Sequence, residues 1–203
     1  MKNRLFILAC IAISIFTACQ KEPDTSTDGF GASNKELTGT PLSLPAGVSF
    51  NGSIRTSSYG CSGNSNYVCS SDGTLPFYMS LRNDSTRPAT VIFPAGMVIP
   101  STDTTLQGAV IVQPDTIIVP AGSNLCVILY ALCVNEHRTF SYQSVYAAPL
   151  ISHNAALTPL VTLLATKQIV TYDPQGIIQQ AVWDIANTGQ MTAADIAAIN
   201  NFP

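Results

Sequence analysis

The chain has little charge. Of its 203 residues, nine are Lys or Arg and twelve are Asp or Glu, a charged fraction of 10% with a net charge of -3. A nucleic-acid binder wants a basic patch, and nine cations spread along the chain do not make one. Histidine is scarcer still: His137 and His153 are the only two, and no Cys-x-x-Cys pair accompanies them. No metal site is therefore expected. The sequence also lacks a Gly-x-Ser-x-Gly elbow, a phosphate loop, a His-Glu-x-x-His pair and a dinucleotide fingerprint. No cofactor and no catalytic residue is expected, and the chain does not read as an enzyme. Long hydrophobic runs are missing too, apart from residues 5–16, broken only by Ser14. As a helix that run would span about 18 Å, against a bilayer core of about 30 Å. It is too short to cross a membrane.

What is present at the N-terminus is an export signal. Lys2 and Arg4 form a positive head, the apolar run follows, and small residues close it. The closing residues, Phe16-Thr17-Ala18-Cys19, resemble the lipobox of bacterial lipoproteins, with Phe16 where Leu is usual. The resemblance implies removal of residues 1–18 and acylation of Cys19, palmitate included. Membrane lipid is then a partner, and the location is the cell envelope, on the outer membrane. The thiol is the reason for the cysteine: it becomes a thioether whose acyl chains partition into the bilayer. Residues 19–40 are polar and are expected to be a flexible tether. Gln20-Lys21-Glu22-Pro23-Asp24 is similar to the charged stretch that follows the lipid-bearing cysteine in Bacteroidetes surface lipoproteins.

Six cysteines occur. Cys10 leaves with the signal and Cys19 takes the lipid, so Cys61, Cys69, Cys126 and Cys133 face an oxidising compartment. Cys61 and Cys69 bracket a turn-rich loop and are expected to form a disulfide across a small hairpin. Cys126 and Cys133 share one apolar run. In a straight strand, seven steps separate them by about 23 Å and place them on opposite faces. They cannot pair with each other, and are expected to be buried free thiols.

Between residues 42 and 146 the pattern is β: short β-branched and aromatic runs punctuated by Gly, Pro, Asn and Asp. Strands are expected at 48–56, 75–81, 89–93, 97–99, 109–113, 116–119, 124–134 and 139–145. One motif recurs, in Leu44-Pro-Ala-Gly47, Phe93-Pro-Ala-Gly96 and Val119-Pro-Ala-Gly122, each leading into a new extended run. Pro presets φ at the second position of a turn and Gly suits its exit. The fold expected is mainly β, an immunoglobulin-like β-sandwich over 41–147, with a C-terminal cap of two to three short α-helices over 148–203. Thr158-Pro159 and Asp173-Pro174 read as helix starts, Gly189 as a stop, and Thr192 with Asp195 as a capping box. The run 125–132 is apolar on both alternating faces. That strand should be covered twice, with the helices as the second cover.

Three features carry candidate chemistry. Glu136-His137-Arg138 is the densest polar cluster and reads as a strand emerging into solvent. Gln179-Gln180-Ala181-Val182-Trp183 resembles the Gln-x-Ala-(Ile/Val)-Trp element of bacterial thioester adhesin domains. That resemblance implies an internal thioester between Gln179 and an upstream thiol, for which Cys133 is the best placed, and covalent capture of a surface amine. Ile178 departs from the family's usual Thr. Read from the residues themselves, the segment is helical packing, with the thioester as the alternative: Gln179 and Trp183 are i, i+4 neighbours flanking the apolar face. Trp183 then plugs a groove and Gln179 caps a backbone group. Finally, Asp-Ser-Thr at 84–86, Asp-Thr-Thr at 103–105 and Asp-Thr-Ile at 115–117 resemble Bacteroidetes O-glycosylation sites, with Ser85, Thr104 and Thr116 as candidate acceptors. The function expected is a lipid-anchored envelope or surface protein of non-catalytic binding, adhesion or structural type, with a surface protein or glycan as ligand. The alternative is a covalent adhesin with a Cys133–Gln179 thioester.

Overall fold

Three Pro-Ala-Gly corners mark strand ends in the computed structural model, which describes residues 30–31, 35–64, 66–69, 73–169 and 172–203. Residues 1–29, which hold the expected signal, Cys19 and the first part of the expected tether, lie outside the described residues. Each corner ends in a glycine of positive φ: 83° at Gly47, 81° at Gly96 and 60° at Gly122. The Val48 N–H donates to Pro45 O and the Met97 N–H to Pro94 O. The proline is therefore the first residue of the turn, not the second as expected, and Gly takes the position that needs φ > 0.

The fold is mainly β with three short helices. The strands are β1 Thr40–Pro41, β2 Val48–Phe50, β3 Ile54–Arg55, β4 Tyr67–Cys69, β5 Leu75–Asn83, β6 Ala89–Phe93, β7 Met97–Ile99, β8 Ala109–Val110, β9 Asp115–Val119, β10 Ser123–Cys133, β11 Val145–Tyr146 and β12 Leu150–Ile151. A 3₁₀ turn, Ser58–Cys61, precedes β4. The helices are α1 Leu157–Leu164, α2 Tyr172–Thr188 and α3 Ala193–Asn200. Ten strands form one sheet in the order β1-β12-β7-β8-β10-β5-β3-β11, with β2 also beside β5 and β4 beside β10. Strands β6 and β9 form a separate two-stranded ribbon. The pairings are antiparallel except that of β4 with β10, which is parallel.

Strand β10 organises the molecule. Along one edge it pairs with β5 from Ser123↔Asn83 to Ala131↔Leu75. Its other edge is shared: β4 takes Cys126 to Ile128 and β8 takes Leu132 and Cys133. Its odd residues Leu125, Val127, Leu129 and Ala131 enter the main core. There they meet Phe77, Met79 and Leu81 of β5 and Val91, Phe93, Ile117 and Val119 of the ribbon. Its even residues face the other way. Leu132, with Val134 beyond the strand, joins Leu160, Leu164, Ile178, Val182 and Ile185 of the helices in a second core. Cys126 and Ile128 join Cys61 in a third, small cluster. The expectation of a doubly covered strand holds, but the second cover is divided. Helices cover one end and the 3₁₀ turn covers the other. Each fully buried aliphatic side chain contributes about 1.5–3 kcal/mol, so both covers matter to stability.

Several boundaries differ from the pattern-based ones. The expected strand 48–56 is two strands, because Asn51-Gly52 interrupts it with φ 107° at Gly52. The segment 139–145 is not a strand before Val145. It is a looped stretch tied down by the Thr56 hydroxyl donating to Ser141 O (2.7 Å) and by Arg55 donating to Gln143 O (3.3 Å). Helix α1 starts at Leu157 with Ala156 at its N-cap, not at Thr158. The side chain of Asn154 accepts from the Ala156 N–H and supplies the start signal. The capping box of α3 is present as expected: Thr192 Oγ1 accepts from Asp195 N–H, and Asp195 accepts from Thr192 N–H at 2.7 Å.

The tether does not extend to Thr40. Phe30 and Leu37 are buried in the helix-side core, and Thr40 and Pro41 pair with β12. The physical reason is that two apolar residues within a polar stretch suffice to dock it, where average composition suggests none can.

Candidate functional site

Gln179 caps a backbone group, as its helical setting suggests, and the residue it caps is Cys133. The Cys133 N–H donates to Gln179 Oε1 at 2.9 Å, and Gln179 Nε2 donates to Cys133 O at 2.7 Å. The reason lies in the ladder. Strand β5 begins at Leu75, opposite Ala131, so it cannot reach Cys133. On the opposite edge the neighbouring Val134 N–H bonds Gly108 O, which turns the polar groups of Cys133 away from β8. The Gln179 amide fills the gap as a one-residue substitute for a strand. Gln179 itself is buried.

The thiol of Cys133 is pushed up to about 12 from 9.0 by burial. Tyr146 is likewise pushed up to about 12, by burial first and then by the neighbouring Cys133. A thiol that keeps its proton is a poor nucleophile. Trp183 Nε1 is buried and has no hydrogen-bond partner among the described residues.

Glu136-His137-Arg138 is not simply a solvated turn. Glu136 Oε2 accepts from Asn187 Nδ2 at 2.6 Å and so ties the strand exit to α2. Arg138, its side chain 7% exposed, donates to Lys35 O at 3.2 Å and to Glu36 Oε1 at 3.3 Å. His137 stays exposed. Beside them Asn135, 1% exposed, donates to Gly31 O and Lys35 O and accepts from the Gly108 N–H. Asn135 is the structural residue that pattern reading passed over. Its signal was position: an amide directly after a long apolar strand stays buried and must find partners. On α2, Asp184 is raised above its ordinary value by partial burial first, opposed by a hydrogen bond from Gln180, and then by hydrogen bonding and like charge from Asp195 and the charge of Glu136.

These contacts clasp residues 30–31 and 35–38 against the domain and frame a cleft of about 830 Å³. Phe30, Lys35, Glu36, His153, Asn154 and Gly189 lie on its walls. Much of its polarity is already engaged. His153 Nε2 is 2.6 Å from Thr40 Oγ1, Asn154 caps α1, and Glu36 pairs with Arg138. The cleft can offer hydrogen bonds of both senses to a polar ligand. A second, apolar groove of about 630 Å³ adjoins it between α1 and α3 and shares Ala155 with it. Among the described residues no group of three His, Cys, Asp or Glu is placed to hold a metal ion.

The disulfide joins Cys61 to Cys126, with Cα atoms 5.4 Å apart. This corrects two expectations: Cys61 does not pair with Cys69, and Cys126 is not free. Cys69 is an exposed free thiol and Cys133 a buried one. The expected hairpin does not form, because β4 runs parallel beside β10 instead of folding back on the 3₁₀ turn. Gly60 lies so close to the backbone of Tyr78 that no Cβ fits there. That approach lays the turn on the sheet and buries Cys61 over Cys126.

Of the candidate glycosylation acceptors, Thr104 is exposed in a turn and Thr116 is exposed on β9. Ser85 is half-buried, its hydroxyl bonded to Asn83 Oδ1 and Arg87 O. No protein-family model, curated protein or solved structure matches this chain.

Proposed function

We propose that the chain is a lipid-anchored envelope protein, acylated at Cys19, whose folded part serves binding, adhesion or structure on the outer membrane rather than catalysis. The observation that carries the reading is the run Phe16-Thr17-Ala18-Cys19 behind a basic, apolar leader, followed within eleven residues by Phe30, which is packed in the domain. The large sheet with the β6–β9 ribbon sharing its core supports a β-sandwich of the broad immunoglobulin-like kind. The non-catalytic reading is supported by the commitment of the polar groups. Asn135, Glu136, Arg138 and Asn154 each hold backbone or a structural partner. The cleft beside Lys35 and His153 is the place for a surface protein or glycan. Cells fed a labelled fatty acid should yield a labelled chain, and Cys19→Ser should abolish the label. An unlabelled wild-type chain overturns the reading.

A covalent adhesin remains the second reading because Cys133 and Gln179 are in contact. The protonated thiol and the fully engaged amide favour the structural role instead. Intact mass separates the two: a thioester removes one ammonia, and Cys133→Ala restores it.

A further inference from the structure

We propose that the apolar groove between α1 and α3 is a membrane-contact face, resting on the bilayer that holds the anchor. This builds on the lipid-anchor reading above. The groove is walled by Pro159, Thr162, Leu163, Met191 and Ile196. Ile196 is 40% exposed, and Leu163 and Met191 are half-buried. The patch is smaller than the few hundred Å² that by itself marks an interaction site, so its position must identify its occupant.

Its occupant follows from where the chain comes in. Phe30 lines the cleft that adjoins the groove through Ala155. From Cys19 to Phe30 is eleven peptide steps. At full extension these reach at most about 40 Å, roughly the diameter of a domain of this size. The groove side of the domain can touch the bilayer at any tether length. The β6–β9 ribbon, with exposed Ile92 and Ile118, shares the core on the other side of β10 and reaches the bilayer only with the tether near full extension, which costs chain entropy. A groove this small would not recruit a free domain. A short tether holds it at a millimolar effective concentration near the surface, and then a weak apolar contact is enough.

The test uses the full acylated chain in phosphatidylethanolamine–phosphatidylglycerol vesicles with brominated acyl chains, in a Cys69→Ser background. An environment-sensitive fluorophore is attached through Ile196→Cys or Thr162→Cys at the groove, and through Ile118→Cys on the ribbon. Quenching at both groove positions, several-fold stronger than at 118, is the expected result. Flotation of the chain with the vesicles reports the anchor independently. A chain that does not float overturns both the anchor and this inference. A chain that floats with equal or no quenching at the three sites overturns the docking face and leaves the anchor standing. A blue-shifted groove probe that brominated lipid does not quench also overturns it, since a protein then covers the groove.

Discussion

At the scale of single residues, Gln179 and Cys133 show how one side chain can stand in for a strand. Gln179→Ala would leave an N–H and a C=O of Cys133 buried without partners. At about 1–3 kcal/mol for each unsatisfied group, it should lower the unfolding free energy by roughly 2–6 kcal/mol in urea equilibrium unfolding. The thiol gives a second prediction. In the native protein a maleimide should modify Cys69 at pH 8 and leave Cys133 untouched until denaturant is added; equal native labelling would contradict its burial. The same thiol links stability to pH. Folded, it holds its proton to about 12, against 9.0 for the ordinary group. The native state therefore binds more protons over that window. The stability this contributes is complete below pH 9 and is lost as the pH rises toward 12. Cys133→Ala should flatten that alkaline slope in pH-dependent unfolding.

At the scale of elements, the Pro-Ala-Gly corners and the capping box act through short-range geometry. Gly96 has φ 81° and nothing near the position of an added Cβ, so Gly96→Ala should cost only the left-handed backbone penalty, about 1–2 kcal/mol. Gly31→Ala should cost more, because its φ is 73° and the added Cβ would collide with Val134. Thermal unfolding of the two variants side by side checks the order, and a Gly31→Ala as stable as Gly96→Ala would contradict the close docking of the strap. Strand β10 is the element on which the rest converges. Its parity decides the partner of each side chain: odd residues serve the main core, while even residues serve the disulfide cluster at one end and the helices at the other.

At the scale of the molecule, the cores are layered on opposite faces of one strand, so the helical segment is not an optional cap. Deleting residues 153–203 uncovers Val98, Val110, Val112, Leu132 and Val134. The shortened chain should lose its near-ultraviolet circular dichroism and bind a hydrophobic dye. The Cys61–Cys126 bridge closes a separation of 65 residues. Chain-entropy arguments give it about 4 kcal/mol, so reduction should lower the unfolding free energy by that order in denaturant titration, and Cys69→Ser should not.

Much of this was legible without coordinates. The Pro-Ala-Gly turns, the Thr192–Asp195 box, the two-faced apolar run of β10 and the amphipathic face of α2 are local or periodic signals, written in neighbouring residues. That Gln179 caps a backbone group was also legible from its place on the helix; that the group belongs to Cys133 is what the packing of α2 on β10 supplies. What the tertiary structure alone decided is long-range. The partner of Cys61 lies 65 positions away. Phe30 and Leu37 pull a polar segment into a core built mostly of helix residues, and Asn135 and Arg138 clasp that segment from more than a hundred positions downstream. Composition and spacing describe what a segment could bury. Which surface it finds depends on the register of β10 against its neighbours, and that register is a property of the whole sheet. The lipobox-like run proposed to carry the lipid at Cys19 rests on the sequence alone, because a cleavage and acylation signal is read along the chain rather than across the fold.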